Sequence, residues 1–202
     1  MTPKLYTERN NLIKDYFNAR AGHWDRASRC EPETLSRILS FCDLYPGMRL
    51  LDVDCGTGVL FPWLLASEPE FVLGVDISEE MAQRARDKQK DARLAVAAAD
   101  YCALEAARFD RIIIYNAYPH FFDKALFARK THELAADGGR FIIAHSRGRS
   151  RINDVHQMRG AKACSVPLEP ANQERHWFEP FFSIDTCIDT ADLYIISGKK
   201  ET

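Results

Sequence analysis

"LLDVDCGTGVL", residues 50–60, begins as an apolar run, passes through the acids Asp52 and Asp54, and closes on the glycines of "GTG". The apolar start reads as a strand buried on both faces, and the glycines as its turn into an amphipathic helix carrying Val59, Leu60, Trp63 and Leu64. Such a loop lets backbone approach a ligand closely and sets that ligand at the positive end of a helix. Asp54, however, stands where a third glycine is expected, which raises the question of whether the loop still holds a nucleotide-like ligand.

On either side the pattern repeats. Upstream, "EPETLSRILSFCDLYPG" spaces Leu35, Ile38, Leu39 and Cys42 as one helix face, with Pro32 in the first turn. Downstream come a strand "FVLGVDIS", a helix "EEMAQRARDKQK" with Met81, Ala82 and Ala85 as its apolar face, and strands "RLAVAAAD" and "FDRIIIYNA". A helix "KALFARKTHELA" follows, stopped by Gly138 and Gly139 before a fifth strand, "GGRFIIAHS". Strands alternating with helices imply a mostly parallel, doubly wound α/β sheet of the Rossmann-like kind. After Ser146 the chain turns polar and reads as a short helix capped by Ser150, a loop and a further helix. "FSIDTCIDTA" and "DLYIISGKK" are joined by a turn too short for a helix, so they predict an antiparallel hairpin at the sheet edge. The chain reads as one domain, with N-terminal helices or lid over 1–45, a ligand-binding core over 46–146, and an acceptor-side segment with the terminal hairpin over 147–202.

Composition narrows the partners. The 27 basic and 29 acidic residues give a formal charge of −2, without the field that grips nucleic acid or an anionic membrane. A small-molecule partner is expected, and the charged N-terminus and lack of a membrane-length apolar run predict a cytoplasmic protein. Cys30, Cys42, Cys55, Cys102, Cys164 and Cys187 form no C-x-x-C pair and read as reduced thiols, mostly small core residues. Thiol capture of a soft metalloid through Cys102 or Cys164 is a remote alternative.

In a doubly wound sheet, ligands bind beyond the carboxyl ends of the strands. Three successive strands end in acids: Asp52, Asp76 and Asp100. Asp76 falls 24 residues after Asp52, about where such folds place the acid that takes hydrogen bonds from a ribose. Helix capping is the ordinary alternative for each.

At this point the sequence resembles the class I S-adenosylmethionine-dependent methyltransferases, in particular the ubiquinone and menaquinone biosynthesis branch. The resemblance rests on "YPGMRLLDVDCGTGVL", "VLGVDISEEMAQRAR", "AAAD", "FDRIIIYNAYPHFFD" and "LAADGGRFIIAHS", in that order. It implies a seven-stranded sheet and a methyl transfer from S-adenosylmethionine to a small acceptor, with release of S-adenosylhomocysteine. It also implies that Asp52, Cys55, Gly56, Thr57 and Gly58 surround the methionine part of the cofactor, with Asn116 nearby; Asp54, which departs from the family's glycine, is expected to set its carboxylate beside the cofactor's ammonium. Asp76 would hold the ribose, Ile77 and Met81 would flank the adenine, and Asp100 would accept from its amino group beside Tyr101. "YFNARAGHWD" resembles the lid of these enzymes, in which Phe17 or Trp24 covers the cofactor; plain packing is the alternative for these aromatics.

For the acceptor, His120 follows the fourth strand, His145 ends the fifth and His156 falls in the helix after it; they are candidates for a base, for hydrogen-bond donors, or for ligands of a divalent metal, with satisfied or solvated histidines that share no site as the ordinary alternative. Tyr118 and Arg147 are further acceptor-side candidates, Arg147 as a clamp for a carboxylate or phosphate. Two rivals stand beside this reading. One is a binding protein of the same fold, altered at Asp54 and without turnover. The other is a nicotinamide-linked oxidoreductase, which the loop spacing and the terminal hairpin disfavour.

Overall fold

The computed structural model describes residues 1–27, 31–105, 107–158 and 161–201; Cys30 lies outside these. Seven strands form one sheet: β1 (Arg49–Val53), β2 (Phe71–Asp76), β3 (Leu94–Ala98), β4 (Phe109–Tyr115), β5 (Ala135–His145), β6 (Ser183–Asp189) and β7 (Tyr194–Lys199). Their order is β3-β2-β1-β4-β5-β7-β6. β1 to β5 run parallel, and β7 enters antiparallel between β5 and β6. The doubly wound sheet with an antiparallel terminal hairpin is therefore as the sequence predicts.

The helices are α1 (Pro3–Asn18), α2 (Trp24–Ala27), α3 (Pro32–Ser40), α4 (Phe61–Ala66), α5 (Glu79–Lys88), α6 (Lys124–Leu134), α7 (Arg149–Met158) and α8 (Ala171–Glu174). The central strands alternate between two buried clusters, because successive side chains point to opposite faces. Leu51, Val53, Ile112, Ile114 and Phe141 pack with Phe127 of α6 and with Phe178, while Leu50, Val72, Ile113 and Ile142 pack with Ile38, Phe61 and Leu64 of α3 and α4. With both faces covered, polar groups can converge only at strand ends, and the change of direction between β1 and β4 opens a crevice there.

Three local expectations need correction. α4 starts only at Phe61, and Val59 and Trp63 are among the exposed apolar residues while Phe61 is buried. The reason lies in the turn: a Cβ on Gly58, whose φ is +80°, would stand 2.5 Å from the Phe61 ring, so this ring fills the space the glycine leaves. α6 ends at Leu134, before the glycines, because Ala135 already pairs with Phe109; residues 136–139 form an irregularity inside β5 before the register resumes at Arg140. Ser150 lies within α7 and does not cap it; Gly148 precedes the helix, where a Cβ would meet the carbonyl oxygens of Thr190 and Ala191 at 2.3 Å.

Among the described residues, no helix is long and apolar enough to cross a membrane.

Candidate active site

A cavity of about 600 Å³ lies at the carboxyl ends of β1, β2, β4 and β5. Its wall includes Phe17, Trp24, Asp52, Asp54, Cys55, Gly56, Thr57, Asp76, Ile77, Met81 and Asn116, most of the residues expected around the cofactor. His120, His145, Arg147 and His156 line it as well.

The carboxylates gather at the β1 and β2 side. Asp76 accepts the Gly56 N–H at Oδ2 and the Ser78 N–H at Oδ1, both at 2.8 Å, which fixes the loop against the end of β2. Burial pushes the Asp76 carboxyl up to about 6, against the pull of those two N–H groups. Asp52 is 1% exposed and its Oδ2 has no partner. Burial, and then Asp76, holds its carboxyl well above the usual range. Asp54 takes the left-handed backbone conformation, φ 52°, that favours glycine. Its carboxyl is pushed up by burial, then by Asp76, Asp100 and Asp52 in that order. It thus stands among the acids of β1, β2 and the loop after β3.

The opposite side carries imidazoles. His120 Nδ1 lies 2.7 Å from the Cys164 carbonyl oxygen, and His156 Nδ1 lies 2.8 Å from that of Ile152. The two rings meet edge to face at 5.2 Å, and the Phe17 ring stands 4.9 Å from that of His120. His145, 1% exposed, has no partner for Nε2 and packs edge-on to Tyr194. Burial depresses His120 to about 4 and His145 to about 3, so both imidazoles are neutral at ordinary pH. Among the described residues no three His, Cys, Asp or Glu side chains are grouped to hold a metal ion, so the three-imidazole metal site is not assembled. Carbonyl oxygens already engage one ring nitrogen of His120 and of His156.

Four expected residues are placed elsewhere. Gly58 is buried under Phe61 and is not on the cavity wall. Asp100 and Tyr101 line a separate space of about 30 Å³, which shares Asp54, Ile77 and His120 with the large cavity. Asp100 is held by α1: it accepts from the Tyr6 hydroxyl at 2.8 Å and from Asn10 Nδ2 at 2.8 Å, besides the Cys102 N–H. The Tyr101 hydroxyl is spent on Thr131. Tyr118 is fully buried, away from the cavity: its hydroxyl donates to Glu174 at 3.0 Å, and the Lys124 amino group sits 3.3 Å over its ring.

Sequence reasoning missed the contacts of the N-terminal segment. Asp25, at the start of α2, accepts from Thr57 Oγ1 and at 2.9 Å from Lys88 Nζ, joining α2 to the glycine loop and to the end of α5. Trp24 lies near the same loop, its Nε1 3.6 Å from where a Cβ on Gly56 would be. The acid directly after Trp24 was the available signal, but its basic partner is 63 residues away. Asn116, φ 56°, was expected, and it accepts the Ser146 N–H at 3.0 Å, bridging the ends of β4 and β5.

Known proteins share parts of this sequence and this fold. Residues 51–143 match the methyltransferase domain family. Methyltransferase GfsG of Streptomyces halstedii is 27% identical over 164 residues, 74% of this chain and 59% of that protein, so the chain spans little more than half of this relative's length. Magnesium protoporphyrin IX methyltransferase of Synechocystis PCC 6803, solved with S-adenosylhomocysteine, is similar in fold with a TM-score of 0.71 at 19% identity, over 96% of this chain and all of that one. A chain from the complex of the Haloferax volcanii Trm112 methyltransferase activator with a methyltransferase gives a TM-score of 0.77 at 16% identity, over 92% and 98% of the two chains. The matched core, residues 51–143, is thus similar to the methyltransferase domain family, and the fold is the one these solved methyltransferases share.

Proposed function

We propose that the chain moves a methyl group from S-adenosylmethionine to a small-molecule acceptor and releases S-adenosylhomocysteine. The observation that carries this reading is Asp52 Oδ2, a buried carboxylate oxygen without a partner beside the glycine loop. A cationic ligand group would draw the proton from this buried carboxyl and pair with it, and the cofactor's ammonium is such a group.

The rest of the wall fits the same ligand. Each Asp76 oxygen has one backbone partner and a second lone pair free for a ribose hydroxyl. Ile77 and Met81 line the cavity with apolar surface suited to the base, and Phe17 and Trp24 line it as well and would cover the ligand. In this reading Gly56, Thr57, Asn116 and Asp54, which also line it, surround the amino-acid end. The cofactor supplies a methyl group already activated on a positively charged sulfur. The protein's task is then to align the acceptor in line with that methyl group, exclude water and take up a proton where the acceptor carries one. Arg147 is exposed at the rim, and His120, His145 and His156 line the acceptor side.

A second reading, binding without turnover, is favoured by one observation: Asp54 adds a third acid where the fold prefers glycine. To separate the two, the purified protein is incubated with S-adenosylmethionine and a fractionated mixture of cellular small molecules, and S-adenosylhomocysteine release is followed. Release that depends on one fraction and disappears in Asp76→Ala supports transfer. Cofactor binding with no release from any fraction supports the second reading.

A further inference from the structure

The acceptor side of the cavity holds a buried polar atom that the fold does not use. His145 ends β5, is 1% exposed, lines the cavity, and leaves Nε2 without a hydrogen-bond partner. An unpaired ring nitrogen is costly to bury, which points to a ligand group that completes it. Resting on the methyl-transfer reading, we propose that the acceptor is an uncharged hydroxyl compound with an apolar body, and that His145 Nε2 receives its hydroxyl proton as the methyl group arrives.

The surroundings of His145 select this chemistry. The wall of the same cavity includes Tyr115, Ala117, Ile152 and Val155, which suits an apolar or aromatic body. A carboxylate acceptor would be buried there without a cation: the Arg147 side chain is exposed at the rim, and Lys124 Nζ is turned to the Tyr118 carbonyl oxygen at 2.7 Å. An ammonium acceptor would have to lose its proton before it could attack, and the charged or titratable groups acting on His145 among the described residues are His156 of α7, Lys124 of α6 and His120 of the turn after β4. A neutral hydroxyl brings one donor to one unpaired acceptor.

The step balances. A lone pair of the acceptor oxygen forms the new C–O bond while the methyl–sulfur bond breaks and its electron pair stays on sulfur. The O–H electron pair returns to oxygen, giving the methyl ether, and the proton goes to Nε2. One positive charge leaves the sulfur and one appears on the imidazole, so the buried site holds the same charge before and after. A depressed imidazole is still basic enough, because the hydroxyl proton becomes strongly acidic once its oxygen bonds the methyl group.

The test uses the full chain saturated with S-adenosylhomocysteine, labelled with ¹⁵N in histidine, and two probes of matched shape: phenol, and anisole, which lacks the hydroxyl. Calorimetry with S-adenosylhomocysteine comes first; if that ligand does not bind, the methyl-transfer reading itself fails. If it binds, phenol is expected to move the His145 Nε2 resonance upfield and to bind about tenfold more tightly than anisole. His145→Phe is expected to keep the affinity for S-adenosylhomocysteine and lose the preference for phenol. Equal binding of the two probes, binding of neither, an unmoved Nε2 resonance, or a preference that survives in His145→Phe each overturns the proposal.

Discussion

The Tyr6 hydroxyl lies 2.8 Å from Oδ2 of Asp100, so the N-terminal helix α1 occupies the carboxylate that the family resemblance assigns to the adenine amino group. Asn10 and the Cys102 N–H take two more of its lone-pair positions. A ligand reaching Asp100 must compete with these donors. Tyr6→Phe should therefore tighten S-adenosylhomocysteine binding by about fivefold, the equivalent of one net hydrogen bond. Weaker binding in calorimetry would instead make Tyr6 part of the ligand's own contacts.

Asp54→Gly removes a side chain from a left-handed backbone position and one acid from the group formed with Asp52 and Asp76. The variant should gain about 1 kcal/mol of stability in urea unfolding. It should also flatten the pH dependence of binding. In the wild type, the Asp76 carboxyl, raised to about 6, takes up a proton as pH falls, and a cationic ligand favours the ionised form. Affinity should then decline from pH 7 to pH 5, and less steeply in Asp54→Gly. A steeper decline in the variant would count against this role.

The lid contact from Asp25 to Thr57 and Lys88 is exposed enough to add little to folding. Asp25→Ala should leave the melting temperature nearly unchanged and speed release of bound S-adenosylhomocysteine severalfold in stopped-flow displacement. Unchanged release would mean that the lid is held by Phe17 and Trp24 alone.

How much of this was legible in the sequence follows from range. β1 to β5 announce themselves as apolar runs ending in acids or polar residues, and Asp52 and Asp76 follow because strand ends and ligand sites coincide in this fold. The start of α4 was misread because the "GTG" turn extends until Phe61 has packed over Gly58, a contact the helical period does not encode. Tyr118 looked like an acceptor contact because it follows β4; its ring is instead buried with Lys124 and Glu174, the latter 56 residues away. Tyr6 and Asn10 on Asp100, and Lys88 on Asp25, escaped for the same reason: each pair is 63 or more residues apart.

The buried histidines make a prediction about stability. His145 at about 3 and His120 at about 4 lie below the ordinary 6.5, so the unfolded chain takes up protons first as pH falls. Their contribution is full above pH 6.5 and is lost towards pH 4. Asp76 acts in the opposite sense: raised from 3.8 to about 6, its contribution is present below 3.8 and lost as pH rises through 6. His145→Phe should thus lose less stability than the wild type between pH 6.5 and pH 4 in urea titrations. Parallel curves would show that His145 is not buried neutral.

A working S-adenosylmethionine site in the crevice at the ends of β1, β2 and β4 is tested most directly by calorimetric titration of the purified chain with S-adenosylmethionine and with S-adenosylhomocysteine. One site per chain is expected for both, with a loss of about tenfold or more in Asp76→Ala through the missing ribose hydrogen bonds. Absence of binding to the wild type, or equal affinity in Asp76→Ala, would contradict it.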